Sequence, residues 1–318
     1  MPSVSLQSSA PGKVILFGEH AVVYGRPAIA VPVTQVRATA TVEPAPPGSG
    51  LTLVAPDIGK NIPLATATQD EPLAAAARST LDHLSVPEPD ATLTVSSTIP
   101  IASGLGSGAA ISTALIRALA TSLGHALEPA ETSALVFKVE KIHHGTPSGI
   151  DNTVVAYEKP VYFVHGHPVE RLTVGEHFTL LIGDTGTPSP TRKIVGLVRQ
   201  ACDRNPARYD AMFDQMGDLT DEARQAIEIG DIETLGLLMD ENHTLLIELH
   251  VSSPGLDELV ETARLAGALG AKLSGAGRGG NMIALVENDL AEEVADALRE
   301  AGAVRVICTT VTTTTTTE

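Results

Sequence analysis

The chain has 318 residues, 43% of them hydrophobic and 19% charged, with a formal net charge of −17. That is long enough to bury a full core in two domains and ordinary for an ordered globular protein. The acidic balance excludes non-specific binding to nucleic acid or to an anionic membrane, which needs a basic face, but it allows an anionic ligand in a locally positive pocket.

The two cysteines, Cys202 and Cys308, lack a Cys-x-x-Cys spacing and give neither a zinc framework nor a reason to expect a disulfide. Aromatics at 3%, with no tryptophan, predict an aliphatic core and few stacking platforms for single-stranded nucleic acid. The start of the chain has no basic leader, and Lys13, Glu19 and His20 interrupt its first apolar run. No segment reaches the roughly 20 apolar residues that span a bilayer. The expectation is a cytoplasmic protein with no nucleic-acid and no membrane partner.

In chain order, Val14 to Phe17 reads as a buried strand entered from a Pro11-Gly12 turn, with Lys13 before it and Glu19-His20 just after. Ala28 to Val42 alternates in its second part as a half-buried strand does, and Glu43 to Gly50 is a loop by composition. A helix is predicted over Pro72–Leu84 and a strand over Ala91–Ile99. Two helices follow, one from Ser107 with Ile111, Leu115, Ala118 and Leu119 on one side. The other runs over Pro129–His144, with Leu135, Val139 and Ile142 as its stripe. Thr153–Val164 reads as strand and Pro168–Glu176 as a junction. Phe178–Ile182 is a short strand, and three or four helices fill Pro188–Leu269. The end reads strand (Ala271–Leu273), glycine loop, strand (Met282–Val286), helix (Leu290–Ala301), strand (Val304–Cys308). That β-loop-β-α-β ending suggests an α+β second domain. The threonine-rich tail from Thr309 is expected to be exposed or frayed.

Three stretches carry chemistry. Pro100 to Ala110 is a glycine-rich loop (Ser103, Gly104, Leu105, Gly106, Ser107, Gly108, Ala109) entering a helix, where backbone N–H groups and the helix dipole favour an anion. A plain turn is one alternative and a dinucleotide loop another, since Gly104, Gly106 and Ala109 fit Gly-x-Gly-x-x-Ala. Pro100 and the lack of a preceding βαβ unit speak against the latter. No Walker A pattern occurs. In the second stretch, Glu140 precedes His143, His144, Gly145 and Asp151. A carboxylate there suits Mg²⁺ held by phosphates, whereas the spacing does not suit zinc. By itself Asp151 reads as a turn carboxylate. The third, Lys272 to Asn281, fits Gly-x-Gly-x-x-Gly but leads into a strand, so the dinucleotide reading fails there. Between the last two, Thr185 to Lys193 places Arg192 and Lys193 in a helix's first turn, unfavourable unless an anion lies nearby; solvated surface charge is the equal alternative.

Taken together, Gly18-Glu19-His20-Ala21-Val22-Val23-Tyr24-Gly25, Pro100–Ala110 and Lys272–Gly280 resemble, in order, the three motifs of the GHMP kinases (galactose, homoserine, mevalonate and phosphomevalonate kinases), most closely the mevalonate kinase branch. The resemblance implies an α+β two-domain fold. Residues 1–170 would form an ATP-binding domain related to ribosomal protein S5 domain 2, and 171–318 a ferredoxin-like domain with extra helices. It implies transfer of the ATP γ-phosphate to the 5-hydroxyl of mevalonate, with Mg²⁺ as cofactor. By the same likeness Asp151 would be the base, Lys13 the polarising cation, and Pro100, Ser103 and Gly104 to Ala109 the phosphate cradle. Glu140 and Ser107 would face the metal. Glu19, His20, Thr185, Arg192, Gly275, Ala276 and Gly277 would face the substrate. One departure stands out: Gly108 occupies the place where relatives carry a second serine, so a metal-ligating hydroxyl is missing. Another small-molecule kinase of the family, such as a phosphomevalonate kinase or galactokinase, is an alternative, as is a non-catalytic sensor on the same fold. The sequence leaves a homodimer open.

Overall fold

The apolar run Val14–Phe17 is the end of a longer strand, β1 (Leu6–Phe17), in a computed structural model that describes residues 5–100, 104–144 and 147–313. The Pro11-Gly12 pair lies within β1 and not in a turn before it. β1 pairs with β2 (Ala28–Pro44), and proline removes only one donor from such a ladder. The chain divides into two units. One comprises the described residues of 1–13, 36–101 and 106–158, the other those of 14–35, 102–105 and 159–318.

In the first unit β3 (Leu51–Ala55) and β4 (Lys60–Pro63) form an antiparallel pair, neither of them expected from the sequence. Helix α1 (Pro72–Leu84) follows, then β5 (Ala91–Ser97), which runs parallel to β3 and antiparallel to the Ala38–Pro44 part of β2. Against this sheet packs α2 (Ser107–Ser122), and α3 (Pro129–His144) packs on α1 and α2. Alanines at 109, 110, 114, 118 and 120 bury α2 on most sides, as befits a helix held between layers. On α3 the buried stripe is Leu135, Val136 and Val139. Ile142, expected in it, is 49% exposed.

The largest correction is α4 (Ile150–Tyr157), where strand was expected over Thr153–Val164. Thr153, Val154 and Val155 favour strand locally, but burial against α3 overrides that preference. Thr153 Oγ1 donates to the Gly149 carbonyl at 2.6 Å, and Asn152 Nδ2 donates to Ser133 Oγ at 2.9 Å, tying the helix down.

In the second unit β6 (Val161–Phe163) pairs with Ala28–Ala30 and with β7 (Glu170–Arg171). After β8 (Phe178–Asp184) come four helices, α5 (Thr191–Arg204), α6 (Pro206–Ile229), α7 (Ile232–Glu248) and α8 (Pro254–Leu265). Strands β9 (Gly270–Ser274) and β10 (Asn281–Val286), helix α9 (Ala291–Glu300) and strand β11 (Arg305–Val311) complete it. The sheet order is β11-β8-β10-β9, antiparallel throughout, over a core that includes Phe213, Met216, Leu246, Leu256 and Met282. β11 reaches into the threonine tail: Thr309 pairs with Leu180 and is buried, so the start of that tail is sheet, as its β-branched residues favour. No helix among the described residues is long and apolar enough to cross a membrane.

Candidate active site

In the first unit the glycine loop ends on Gly106, which caps α2 in a left-handed conformation (φ +73°). A Cβ there would come within 2.8 Å of Lys13 Cγ, so glycine is required both for the turn and for the lysine stem beside it. Ser107, Gly108 and Ala109 form the first turn of α2. No side chain caps this end and no acidic residue sits in it, which leaves its N–H groups for an anion. Pro100 is half-buried; Gly104, which is left-handed, and Leu105, which is buried, belong to the second unit. Ser103 lies outside the described residues.

Lys13, only 4% exposed, comes off β1 with Nζ 2.8 Å from Asp151 Oδ1. Asp151 is not the turn carboxylate that its context alone suggests; it stands in the first turn of α4, one-third exposed. Glu140 completes the group from α3. Burial, and then the negative charge of Asp151, raise its carboxyl to about 7, against a partial offset from Lys13. Its Oε1 would lie 3.4 Å from a Cβ at Gly108. The structure thus brings together Lys13, Asp151, Glu140 and the start of α2, four separate segments of the sequence.

In the second unit Glu19 is ion-paired with Lys272 of β9, and both side chains are fully buried. His20 adopts a positive φ of 62° with ψ −48°, outside the left-handed helical well, a mark of local strain. Its Nε2–H donates to the Ala276 carbonyl at 3.0 Å, which joins His20 to the third glycine loop. Burial lowers its pKa to about 4, with the carbonyl bond opposing, so the ring is neutral. Gly275 and Gly277 flank Ala276. Ser189 Oγ donates to the Gly277 carbonyl at 2.6 Å, and Thr185 Oγ1 donates to the Gly280 carbonyl at 2.9 Å, so the turn after β8 is stitched onto that loop. Arg192 follows at the exposed start of α5. Arg278 donates to the His250 carbonyl at 3.1 Å.

Sequence reasoning assigned no role to Lys272, Ser274 or His243. Ser274 Oγ donates to the Ile15 carbonyl at 2.8 Å. The available signal for Lys272 was a lysine inside an apolar strand beside a glycine loop, a position that demands a buried counter-charge. Among the described residues no cluster of three histidine, cysteine or acidic side chains could hold a metal, so any cation here depends on oxygens from its ligand.

The family model for the GHMP kinases N terminal domain matches residues 72–159, and that for the GHMP kinases C terminal matches 223–304. The chain is 36% identical over 318 residues to the mevalonate kinase of Thermococcus sibiricus, with 94% of each covered. It is 37% identical over 322 residues to that of Pyrococcus horikoshii, again with 94% of each covered. The crystal structure of L. major mevalonate kinase in complex with R-mevalonate superposes with a TM-score of 0.84 at 30% identity, covering 98% of this chain and 97% of that one. The chain belongs to the GHMP kinases, and within them to the mevalonate kinases.

Proposed function

We propose that this chain transfers the γ-phosphate of ATP to the 5-hydroxyl of mevalonate, giving 5-phosphomevalonate and ADP. The observation that carries the reading is the Lys13–Asp151 pair at 2.8 Å, set beside buried Glu140 and the uncapped start of α2. Asp151 accepts the proton of the attacking hydroxyl as its oxygen bonds to the γ-phosphorus and the bond to the β-phosphate oxygen breaks. Lys13 orients that carboxylate and offsets negative charge gathering on the reacting oxygens. Backbone N–H groups of Gly106 to Ala109 hold phosphate oxygens; the assignment of Pro100, Ser103, Gly104 and Leu105 to the same nucleotide is carried over from the family likeness. Most of the rate enhancement in such a site comes from positioning and charge neutralisation.

Glu140 fits a Mg²⁺ site. A carboxyl whose ionisation is suppressed first by burial and then by Asp151 regains its charge when a cation is placed against it, and Ser107 lies at the start of α2 beside Gly108. Bound there with ATP, the metal would neutralise phosphate charge. Glu19, His20, Thr185, Arg192 and the Gly275–Gly277 loop are assigned to mevalonate and to the transferred phosphate. We place the domain boundary near residue 170 and the enzyme in the cytoplasm, where its water-soluble anionic substrates would reside.

Coupled ADP-release assays across mevalonate, phosphomevalonate, galactose and homoserine test the reading. Turnover confined to mevalonate is expected. Preferential turnover of another acceptor would overturn it, and ligand binding without any turnover would make the protein a sensor.

A further inference from the structure

Among the described residues β9 is an edge strand of the second unit's sheet, with no neighbouring strand on its outward side. Helix α7 takes that place. Gly236 lies against Gly270, where a Cβ on Gly270 would come within 2.0 Å of the Gly236 carbonyl oxygen. One turn on, Asp240 Oδ1 accepts the Ala271 N–H at 2.8 Å, and one turn further His243 Nδ1 accepts the Leu273 N–H at 3.3 Å. The carbonyls of the same two residues are met by Arg264 Nη2 and by Lys272 Nζ, each at 2.9 Å. Residues 236, 240 and 243 form a single stripe along α7, whose Asp240 and His243 side chains accept the two N–H groups that a neighbouring strand would otherwise take.

We propose that His243 is a positioning residue. By holding the peptide between Lys272 and Leu273, it fixes the lysine that pairs with Glu19 and the start of the Ser274–Gly277 loop. Nδ1 can accept only while the ring is neutral, and three things keep it so. Burial lowers its pKa to about 4, the Arg264 and Lys272 charges add to this, and Asp257 opposes only in part. With Nδ1 accepting, Nε2 carries the proton and lies 3.4 Å from Asp257 Oδ1, an oxygen that also accepts from Ser252 Oγ. His243 touches no reacting atom; its effect passes through the strand. The catalytic consequence rests on the phosphotransfer reading above.

His243→Asn keeps an acceptor near the place of Nδ1. His243→Gln keeps polarity and a donor near the place of Nε2 but loses that acceptor. The Gln variant is expected to raise KM for mevalonate about tenfold with a smaller change in kcat, since a buried N–H is left unmet. The Asn variant should restore most of the loss. Hydrogen exchange at the Leu273 amide should speed up in Gln and not in Asn. Equal kinetics in the two variants, or Leu273 exchange that matches wild type in both, would overturn the assignment. Should wild type fail to turn over mevalonate, that failure belongs to the functional reading, and the amide exchange still decides the role of His243. If Gln does not fold while Asn does, the split stands in favour; if neither folds, the residue is structural and the proposal fails.

Discussion

The Glu140 carboxylate stands directly over the backbone of Gly108: a Cβ at 108 would come 3.4 Å from Oε1, an ordinary contact distance. The missing hydroxyl at 108 is therefore missing beside the very carboxylate assigned to the metal. Gly108 has an ordinary helical conformation, so a serine fits without strain and gains up to about 0.5 kcal/mol of helix propensity. Gly108→Ser should fold and lower the Mg²⁺ concentration needed for half-maximal activity by about threefold, as one more oxygen joins the site. A Mg²⁺ titration of kcat checks this; an unchanged or higher requirement would show that the oxygen at 108 does not reach the metal.

Asp151→Asn keeps shape and an acceptor for Lys13 while removing the proton acceptor. Because Asp151 is one-third exposed at the start of α4, folding should survive, with Tm shifted by a few degrees at most. A loss of about 10²–10⁴ in kcat is expected from removing a general base, with KM for ATP little changed. Near-normal turnover would remove Asp151 from the chemistry.

The end of β1 at Phe17 and the glycine loops were legible because charges and glycines at such positions have few other uses; the start of β1 at Leu6 was not, since Pro11-Gly12 reads locally as a turn. Lys13, Asp151 and Gly106 were named from sequence spacing and family likeness, and the structure brings the three together. What stayed hidden depended on partners distant in sequence. The Thr153-Val154-Val155 run signals strand until α3 covers it, and β11's extension into the threonine tail needs β8 alongside. His243 looked like any helix histidine, since nothing local reveals that it faces an edge strand 30 residues later.

Glu140 makes stability and function oppose each other. Its carboxyl is raised to about 7 from an unfolded value of 4.5, so between these pH values the folded state keeps a proton that the unfolded chain has released. Stability without ligand therefore falls as pH rises through that window, and the loss is complete above 7. The penalty is on the order of 3 kcal/mol. Glu140→Gln removes it: the variant should melt above wild type at pH 8, match it near pH 5, and lack Mg²⁺-dependent activity. Wild type with Mg²⁺ and ATP should recover the difference. Parallel melting curves for wild type and variant across this range would rule out the coupling.

The Lys272–Glu19 pair carries the largest single electrostatic stake in the second unit, since both side chains are fully buried. Lys272→Met strips Glu19 of its counter-charge, which for a buried pair costs about 3–5 kcal/mol. Adding Glu19→Gln to that variant should recover part of the loss, giving a coupling of about 2 kcal/mol or more in urea unfolding. Effects that add within about 0.5 kcal/mol would mean that the two charges do not depend on each other. The same substitution has a second, independent readout. Lys272 is one of the charges that hold His243 below its ordinary value, after burial and Arg264. Its removal should shift the His243 titration upward, though still short of 6.5 because burial is the larger cause. Stability carried by the neutral ring is present above pH 6.5 and is lost as pH falls toward the folded value, so a higher folded pKa shrinks that acid-side loss. An imidazole titration followed by NMR in wild type and in Lys272→Met decides it: an unmoved His243 would separate the lysine from the histidine behind the strand.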